Sequence, residues 1–401
     1  MSGPASGFKI LDLSAVLSGP LATNYLCDQG AEVIKVEAFD GDIMRHTQKS
    51  VDGFTATFIA SNRGKKGIAI NLKHKSGNEM IKCFVPYVDV VVQNFRPGAV
   101  ERMGLDYDTL KQVNPSIVYC SISGFGNKGP YINKRIYDPI IQGMSGLNAV
   151  QGGAGQRPEM IKTLIPDVVT ALTAAQAITA ALLARERSGQ GQHVTVAMID
   201  AMIALTWPSM MANNMLVDEN GDNPPPTGTA RRGELIFRTT DGYITAAAVS
   251  EAEWQGLCTA LDKAEWLNHD RLNTPAGRVA NSATLIELLS PILEQQASAH
   301  WLNLFDEHDV PCGPILTPAD LPNNEQIIAN ELIEVFDHPG IGKIRQARPA
   351  AKFSATPAHI QGPAPGIGEH TRAILQQFDF SDPEIDDLYA QGVVRGNQTA
   401  T

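Results

Sequence analysis

Paired cysteines, an excess of basic charge and long apolar runs are all missing from this 401-residue chain. Its five cysteines, Cys27, Cys83, Cys120, Cys258 and Cys312, are odd in number and widely scattered, with none of the short spacings of a zinc site or a CxxC redox pair. That usage fits a reducing, cytoplasmic setting. The histidines form no metal-ligand spacing either. Lys and Arg number 32 against 43 Asp and Glu, a net charge of −11, which argues against general nucleic-acid binding, because phosphate neutralisation needs clustered cations. A polyanionic ligand must therefore find a local basic patch. The longest apolar stretch, 168–184, is shorter than the roughly 20 residues of a membrane span and is built from Ala and Thr around Gln176, so a buried helix is expected rather than an anchor. The apolar stretch after Lys9 is broken by Asp12 and reads as a buried strand, not as a cleavable leader. No repeat or low-complexity tract is present. With 43% hydrophobic and 19% charged residues, the chain is that of a well-buried globular protein, and its length favours two domains.

The order of patterns predicts an α/β fold. Residues 8–13 read as a strand, 20–29 as a helix ending at Gly30, and 32–37 as a second strand. The alternation repeats, with strands expected at 67–72, 88–93, 116–123 and 193–198 and helices at 76–85, 107–114 and 168–184. Strands alternating with helices imply a parallel sheet covered on both faces. Pro224, Pro225 and Pro226 make 218–229 a crossing linker. Beyond it, 233–249 reads as strands turned at Asp241-Gly242, and 251–304 reads mostly as amphipathic helices, together a second and smaller unit. Two further Pro-rich patches, 311–322 and 349–365, precede a final helix beginning near Glu369.

Several motifs admit both a chemical and a plain structural reading. Gly124-Phe-Gly-Asn-Lys-Gly129 matches G-x-G-x-x-G after a strand, but Pro130, Tyr131 and a basic loop follow instead of a helix. Glu37 ends the first βαβ unit where a dinucleotide fold places its ribose ligand, yet the turn 14–20 lacks the glycine fingerprint, leaving an NAD(P)-dependent dehydrogenase as a distant alternative. Residues 62–75 hold Arg63, Lys65, Lys66, Lys73 and Lys75 without an acid, which is either a solvated basic face or an anion site. Arg96, Arg102, Lys128, Lys134 and Arg135 follow strands of the same sheet, and this co-location favours phosphate recognition. Asp167, after Pro166, reads first as an N-cap. A carboxylate there has a depressed pKa and stays ionised, so the position permits a nucleophile without requiring one. Tyr137 and Asp138, on a loop with Arg135, read on their own as a turn with a surface ion pair.

Taken together, Leu11-Asp-Leu with Gly19-Pro20, Gly30-Ala-Glu-Val-Ile-Lys-Val-Glu37, Gly41-Asp42 with Arg45, Asn94-Phe-Arg-Pro-Gly98 with Arg102-Met-Gly104, Gly124-Phe-Gly126, Asp167 with its Ala-rich helix, Gly189-Gln-Gly-Gln192, Val196-Ala-Met-Ile-Asp200 and Gly368-Glu-His-Thr371 resemble the class III coenzyme A transferases, the CaiB/BaiF family. The resemblance runs nearly end to end. It implies a large Rossmann-like, CoA-binding domain built from both chain ends (1–205 with 330–401), a smaller α+β domain between them (206–329, linker included), and an interlocked homodimer. Acyl-CoA and a small carboxylic acid are the implied substrates, with no metal or other cofactor and with no nucleic acid or membrane as partner. By position, CoA contacts fall to Val16, Ile70, Lys73, Asn94, Phe95, Arg102, Met103 and Arg135, with Phe95 and Met103 flanking the adenine. Only Lys73 overlaps the basic cluster, so Arg63, Lys65 and Lys66 are expected at the surface.

Asp167 matches the family's catalytic aspartate, which attacks an acyl-CoA to form an aspartyl anhydride and then an aspartyl-CoA thioester. Tyr137 and Asp138 are implied to shape the acyl pocket. The family's racemase branch pairs the aspartate with a histidine at position 137. Here the residue is Tyr137, and a phenol, unlike an imidazole, is a poor second base near pH 7, which demotes that alternative. In place of a glycine run that covers the intermediate in formyl-CoA transferases stands Pro226-Thr-Gly-Thr-Ala-Arg-Arg-Gly233. Arg231 or Arg232 in it suits either the distal carboxylate of a dicarboxylic substrate such as a succinyl group or a charged linker.

Overall fold

The computed structural model describes residues 3–47, 49–153, 155–211, 215–217 and 235–396. The crossing linker at 218–229 and Arg231 and Arg232 lie outside the described residues. The chain divides into a larger unit, Met1–Met210 with Glu331–Thr401, and a smaller one, Met211–Asn330.

The larger unit is built on strands β1 (Lys9–Asp12), β2 (Glu32–Glu37), β3 (Lys66–Ile70), β4 (Val90–Gln93), β5 (Val118–Ser123) and β6 (Gln192–Ala197). They pair in parallel in the order β3-β2-β1-β4-β5-β6. That is the order of a doubly wound nucleotide-binding sheet, in which the crevice beyond β1 and β4, where the winding reverses, receives the ligand. Alternate side chains enter opposite faces. Leu11, Ile34, Val91 and Tyr119 join one core with Phe84, Ile374, Leu375 and Ile385. Ile10, Val33, Val90, Val92, Val118 and Cys120 join the other, with Ala22, Leu26, Ala171, Ala174 and Ile178.

Helices cover both faces. On the second core lie α1 (Ser18–Asp28) and, in chain order past α2 (Ala56–Asn62), α3 (Lys75–Phe84), α4 (Ala99–Met103), α5 (Tyr107–Val113), α6 (Asp138–Met144) and α7 (Leu147–Gly152), the long α8 (Ile165–Ser188). The buried residues of α8 recur at Ala171, Ala174, Ala175, Ile178, Ala181, Leu182 and Arg185, a stripe at helical spacing, and Gly189 ends it with φ 69°. At 24 residues α8 is longer than the apolar stretch suggested, and by length and composition alone it could cross a membrane. Here its stripe packs on the sheet, and Arg185 pairs with Asp89 at 2.9 Å. Helix α9 (Met198–Met210) leaves β6 directly.

The smaller unit has strands β7 (Ile236–Arg238) and β8 (Tyr243–Ala246), turned at Asp241-Gly242 as the sequence suggests, then α10 (Glu251–Ala260), α11 (Pro275–Ala280), α12 (Ser282–Leu293), α13 (Ser298–Glu307), β9 (Cys312–Pro314) and α14 (Glu325–Ala329). Phe237, Ile244, Trp254, Trp266, Trp301 and Phe305 form its core. Back in the larger unit, β10 (Ile333–His338) and β11 (Gly342–Ala347) make an antiparallel hairpin that the sequence reading did not anticipate. Helices α15 (Thr371–Gln377) and α16 (Asp382–Ala390) then cover the first core, and β12 (Val394–Arg395) adds an antiparallel strand beside β3.

Candidate active site

The loop leaving β1 is held by buried side chains at nearly every backbone group. Asp12 accepts the Ser14 N–H at 3.0 Å and the Ser14 hydroxyl on one oxygen, and the Thr23 hydroxyl (2.8 Å) and Lys65 Nζ (2.9 Å) on the other. Burial alone would raise the Asp12 pKa, but Lys65 and Lys35, with the Ser14 bond, bring it down to about 2. Asn94, just past β4, clamps Ala15 from both sides, its Oδ1 accepting the N–H (2.9 Å) and its Nδ2 donating to the carbonyl (2.7 Å). Asp42, beyond β2, accepts the Val16 N–H (3.1 Å), the Met44 N–H (3.0 Å) and Lys35 Nζ (3.1 Å), while Lys35 also donates to the Ser14 carbonyl. Between these fixings Val16 takes φ 72°. For a β-branched residue that left-handed conformation costs of the order of 1–3 kcal/mol and persists only where its surroundings impose it. Gly19 completes the geometry: a Cβ there would stand 2.3 Å from the Ser14 Cβ, so glycine lets the first turn of α1 lie against the loop.

The loop delivers Ser18 to Asp167. Ser18 faces the Asp167 carboxylate closely enough for its backbone N–H and side chain to lower the Asp167 pKa, so that the carboxylate sits at the N-terminus of α1 while belonging to the first turn of α8. Asp167 is 8% exposed. On the far side lies Asp138, the buried first residue of α6, whose Oδ2 accepts the Asp167 N–H at 3.4 Å and whose Oδ1 accepts Gln142 Nε2 at 2.8 Å. Gln142 also bonds the Ile161 and Thr163 carbonyls and the Ile161 N–H, tying α6 to the segment that leads into α8. Burial, and then Asp138, raise the Asp167 pKa to about 6 against the pull of Ser18. Burial raises Asp138 as well.

This corrects two expectations. Asp167 is not the N-cap of α8, a place taken by Leu164, which makes no side-chain cap bond. Its carboxyl is raised rather than depressed, because removal from water and a neighbouring carboxyl outweigh the helix N-terminus it faces. Nor do Tyr137 and Asp138 form a surface turn with an ion pair: Asp138 is buried and committed to Gln142 and α8, while Tyr137 is 67% exposed. The expected surface position fails for Lys65, wholly buried on Asp12, and for Arg63, buried on Asp28 at 2.7 Å, but holds for Lys66, exposed and paired with Glu32. Glu37, the ribose ligand of the dinucleotide alternative, is spent on Arg45 at 2.7 Å and on the Asp42 N–H at 2.8 Å. Gly124–Gly129 leads into no helix before α6.

The residues implied for CoA follow the carboxyl ends of the strands. Lys73 after β3, Arg102 on α4 and Arg135 before α6 are exposed, and Phe95 and Met103 are half-buried against the first core. Val16 is half-buried, Asn94 has its carboxamide committed to Ala15, and Ile70, at 0% exposed, presents no surface. Asp42, Lys35, Ser18 and Gln142 went unnoticed as site residues in the sequence; Asp42 and Lys35 stood inside motifs given above, but nothing in one dimension joins them to Asp167. A broad, mostly apolar cleft of about 1180 Å³, lined by Tyr25, Leu172, Leu183, Gln346 and Phe353 among others, includes neither Asp167 nor any residue implied for CoA.

A buried carboxyl raised toward neutrality beside a doubly wound sheet fits acyl transfer, and the comparisons agree. Residues 6–371 match CoA-transferase family III. The chain belongs to CoA-transferase family III. This CoA-transferase is 35% identical to the succinyl-CoA:glutarate CoA-transferase of Homo sapiens over 403 residues, covering 99% of this chain and 91% of that one. It is 30% identical to the formyl-CoA:oxalate CoA-transferase of Streptomyces avermitilis over 412 residues, 98% of this chain and 100% of the other. Among solved structures, a CaiB/BaiF family protein from Brucella suis matches 94% of the CoA-transferase and is itself covered in full, at 33% identity and a TM-score of 0.81.

Proposed function

We propose that this CoA-transferase moves CoA from an acyl-CoA to a free carboxylic acid with Asp167 as nucleophile, and that a dicarboxylic thioester such as succinyl-CoA is the donor. The observation that carries the mechanism is the Asp167 carboxylate itself, buried between Ser18 and Asp138 with a pKa of about 6. At pH 7 roughly 90% of it is ionised, yet it is more basic, and so a stronger nucleophile, than an ordinary carboxylate. Attack on the thioester carbonyl expels CoA thiolate and leaves a mixed anhydride. The thiolate returns to the aspartyl carbonyl and releases the donor acid, leaving aspartyl-CoA thioester. The acceptor carboxylate then attacks that thioester, and the thiolate takes the acyl group from the new anhydride and frees Asp167. A dry site protects both anhydrides from water. Lys73, Arg102 and Arg135 would answer the CoA phosphates, with Phe95 and Met103 against the adenine. The names of the succinyl-CoA:glutarate relatives support the donor class. The proposal includes a cytoplasmic homodimer needing no cofactor beyond its thioester substrate.

Mass spectrometry of the protein incubated with a panel of acyl-CoAs, succinyl-CoA included, then treated with hydroxylamine, tests the reading. A modified peptide containing Asp167 is expected, and the thioester that yields it names the donor. The racemase alternative predicts solvent deuterium at the substrate's α-carbon and no adduct; an exposed Tyr137 makes a poor partner for it.

A further inference from the structure

The loop between β1 and α1 contains no reacting group, yet buried charge is concentrated around it. Lys35 sits in the middle of β2 and Lys65 just before β3, both wholly buried, with Asp12 and Asp42 as their partners. Most buried ion pairs could be replaced by apolar side chains at little loss, so three such charges converging on Ser14 and Val16, with Lys65 behind Asp12, ask for a reason beyond stability. Their bonds run to the Ser14 N–H and carbonyl and to the Val16 N–H, with Asn94 taking both groups of Ala15. Val16, held by Asp42, is the residue in the left-handed conformation, and two residues on Ser18 meets the Asp167 carboxylate. A slack loop would let Val16 relax to an extended or helical conformation and swing Ser18 away from Asp167.

We propose that Asp42 is a positioning residue: anchored by Lys35, its carboxylate holds Val16 left-handed and thereby fixes Ser18 on the nucleophile Asp167. The proposal rests on Asp167 being the nucleophile. Asp42 itself touches no reacting atom. It is locked in turn by the Glu37–Arg45 pair, since Glu37 accepts the Asp42 N–H and Arg45 bridges to the Pro365 carbonyl at 2.8 Å. The charged and titratable groups facing this loop are therefore Asp12, Lys35, Lys65 and Asp42, and those facing the Asp167 carboxylate are Asp138 and the N-terminus of α1.

The test is steady-state CoA exchange by the full-length enzyme, with the acyl-CoA that loads Asp167, across pH 5–9. Asp42→Asn keeps the shape but loses the charge that holds Lys35. It should lower kcat by about tenfold or more, with a much smaller change in KM for the thioester. Loss of Ser18's lowering influence on Asp167 should move the acid limb of the profile upward. Adding Val16→Gly, which takes a positive φ without penalty, should restore much of kcat in the Asp42→Asn background, an effect that a merely structural role for Asp42 would not produce. If Asp42→Asn does not fold, Lys35→Met with Asp42→Leu replaces the pair by apolar groups and should show the same kcat loss and limb shift. Unchanged kcat and pH profile in whichever of these variants folds, or no rescue by glycine, would overturn the proposal while leaving Asp167 as nucleophile. A fully active Asp167→Ala enzyme would instead overturn the parent reading and this proposal with it.

Discussion

Asp167→Asn should stabilise the protein at neutral pH while abolishing transfer. Burial and Asp138 raise this carboxyl from its ordinary value near 3.8 to about 6. In the unfolded chain the proton leaves near pH 4, whereas the native protein holds it until about pH 6, so between the two the native state binds more protons. Stability therefore falls as pH rises through this window, and the penalty is complete above about pH 6. At 1.36 kcal/mol per pH unit the full penalty is about 3 kcal/mol. Asparagine carries no charge and does not repel Asp138, but it makes weaker bonds to Ser18, so a net gain of about 1–3 kcal/mol is expected at pH 8. For a unit of roughly 280 residues this corresponds to about 2–5 °C in Tm. Scanning calorimetry of ligand-free protein at pH 5 and pH 8 reads it directly. The variant should exceed the wild type at pH 8, with a smaller difference at pH 5. A variant less stable than the wild type at pH 8, or a gap equal at both pH values, would refute the view that Asp167 is held ionised against its surroundings.

Three further outcomes follow from the same contacts. The acid limb of kcat/KM should fall near pH 6 as Asp167 takes up its proton, and Asp138→Asn, by removing a repelling neighbour, should move that limb downward; a limb that moves upward would contradict the pairing of the two carboxyls. Lys65→Met strands Asp12 in the core, at a cost of about 3–5 kcal/mol in urea titration, and adding Asp12→Leu should recover much of it. Arg102→Ala and Lys73→Ala should each weaken CoA about fivefold by calorimetry at low salt, less at high salt, and leave the hydroxylamine-sensitive adduct at saturating thioester; equal affinities would remove them from the phosphate site.

The parallel sheet was legible in the sequence because its strands are nearly continuous apolar runs, such as Val90–Gln93, separated by helices with a clear stripe. The β10–β11 hairpin was not: Ile333–His338 breaks strand alternation at Val335-Phe336 and Asp337-His338 and carries Glu334 and Asp337, so it reads as surface between two proline patches. Asp167 could be singled out by position and resemblance, but the sign of its pKa change could not, because that depends on how deeply it is buried and on Asp138, 29 residues earlier in sequence. Lys65 and Arg63 were misplaced for a related reason. A run of basic residues looks solvated until the acids that neutralise it, Asp12 and Asp28, arrive from another strand and another helix.

The helices that close the first core come from the far end of the chain. Ile374, Leu375, Phe378 and Ile385 pack on Leu11, Ile34 and Phe84, and β12 lies beside β3. During synthesis, then, the part of that face closed by α15 and α16 stays open while some 250 residues between Tyr119 and Ile374, the whole of the smaller unit among them, emerge from the ribosome. The smaller unit, with its own tryptophan-rich core and local contacts, can form first; the larger unit, with Asp167 on α8, must wait. Nascent chains arrested before residue 370 should therefore hold a protease-resistant smaller unit beside a larger unit that still depends on chaperones.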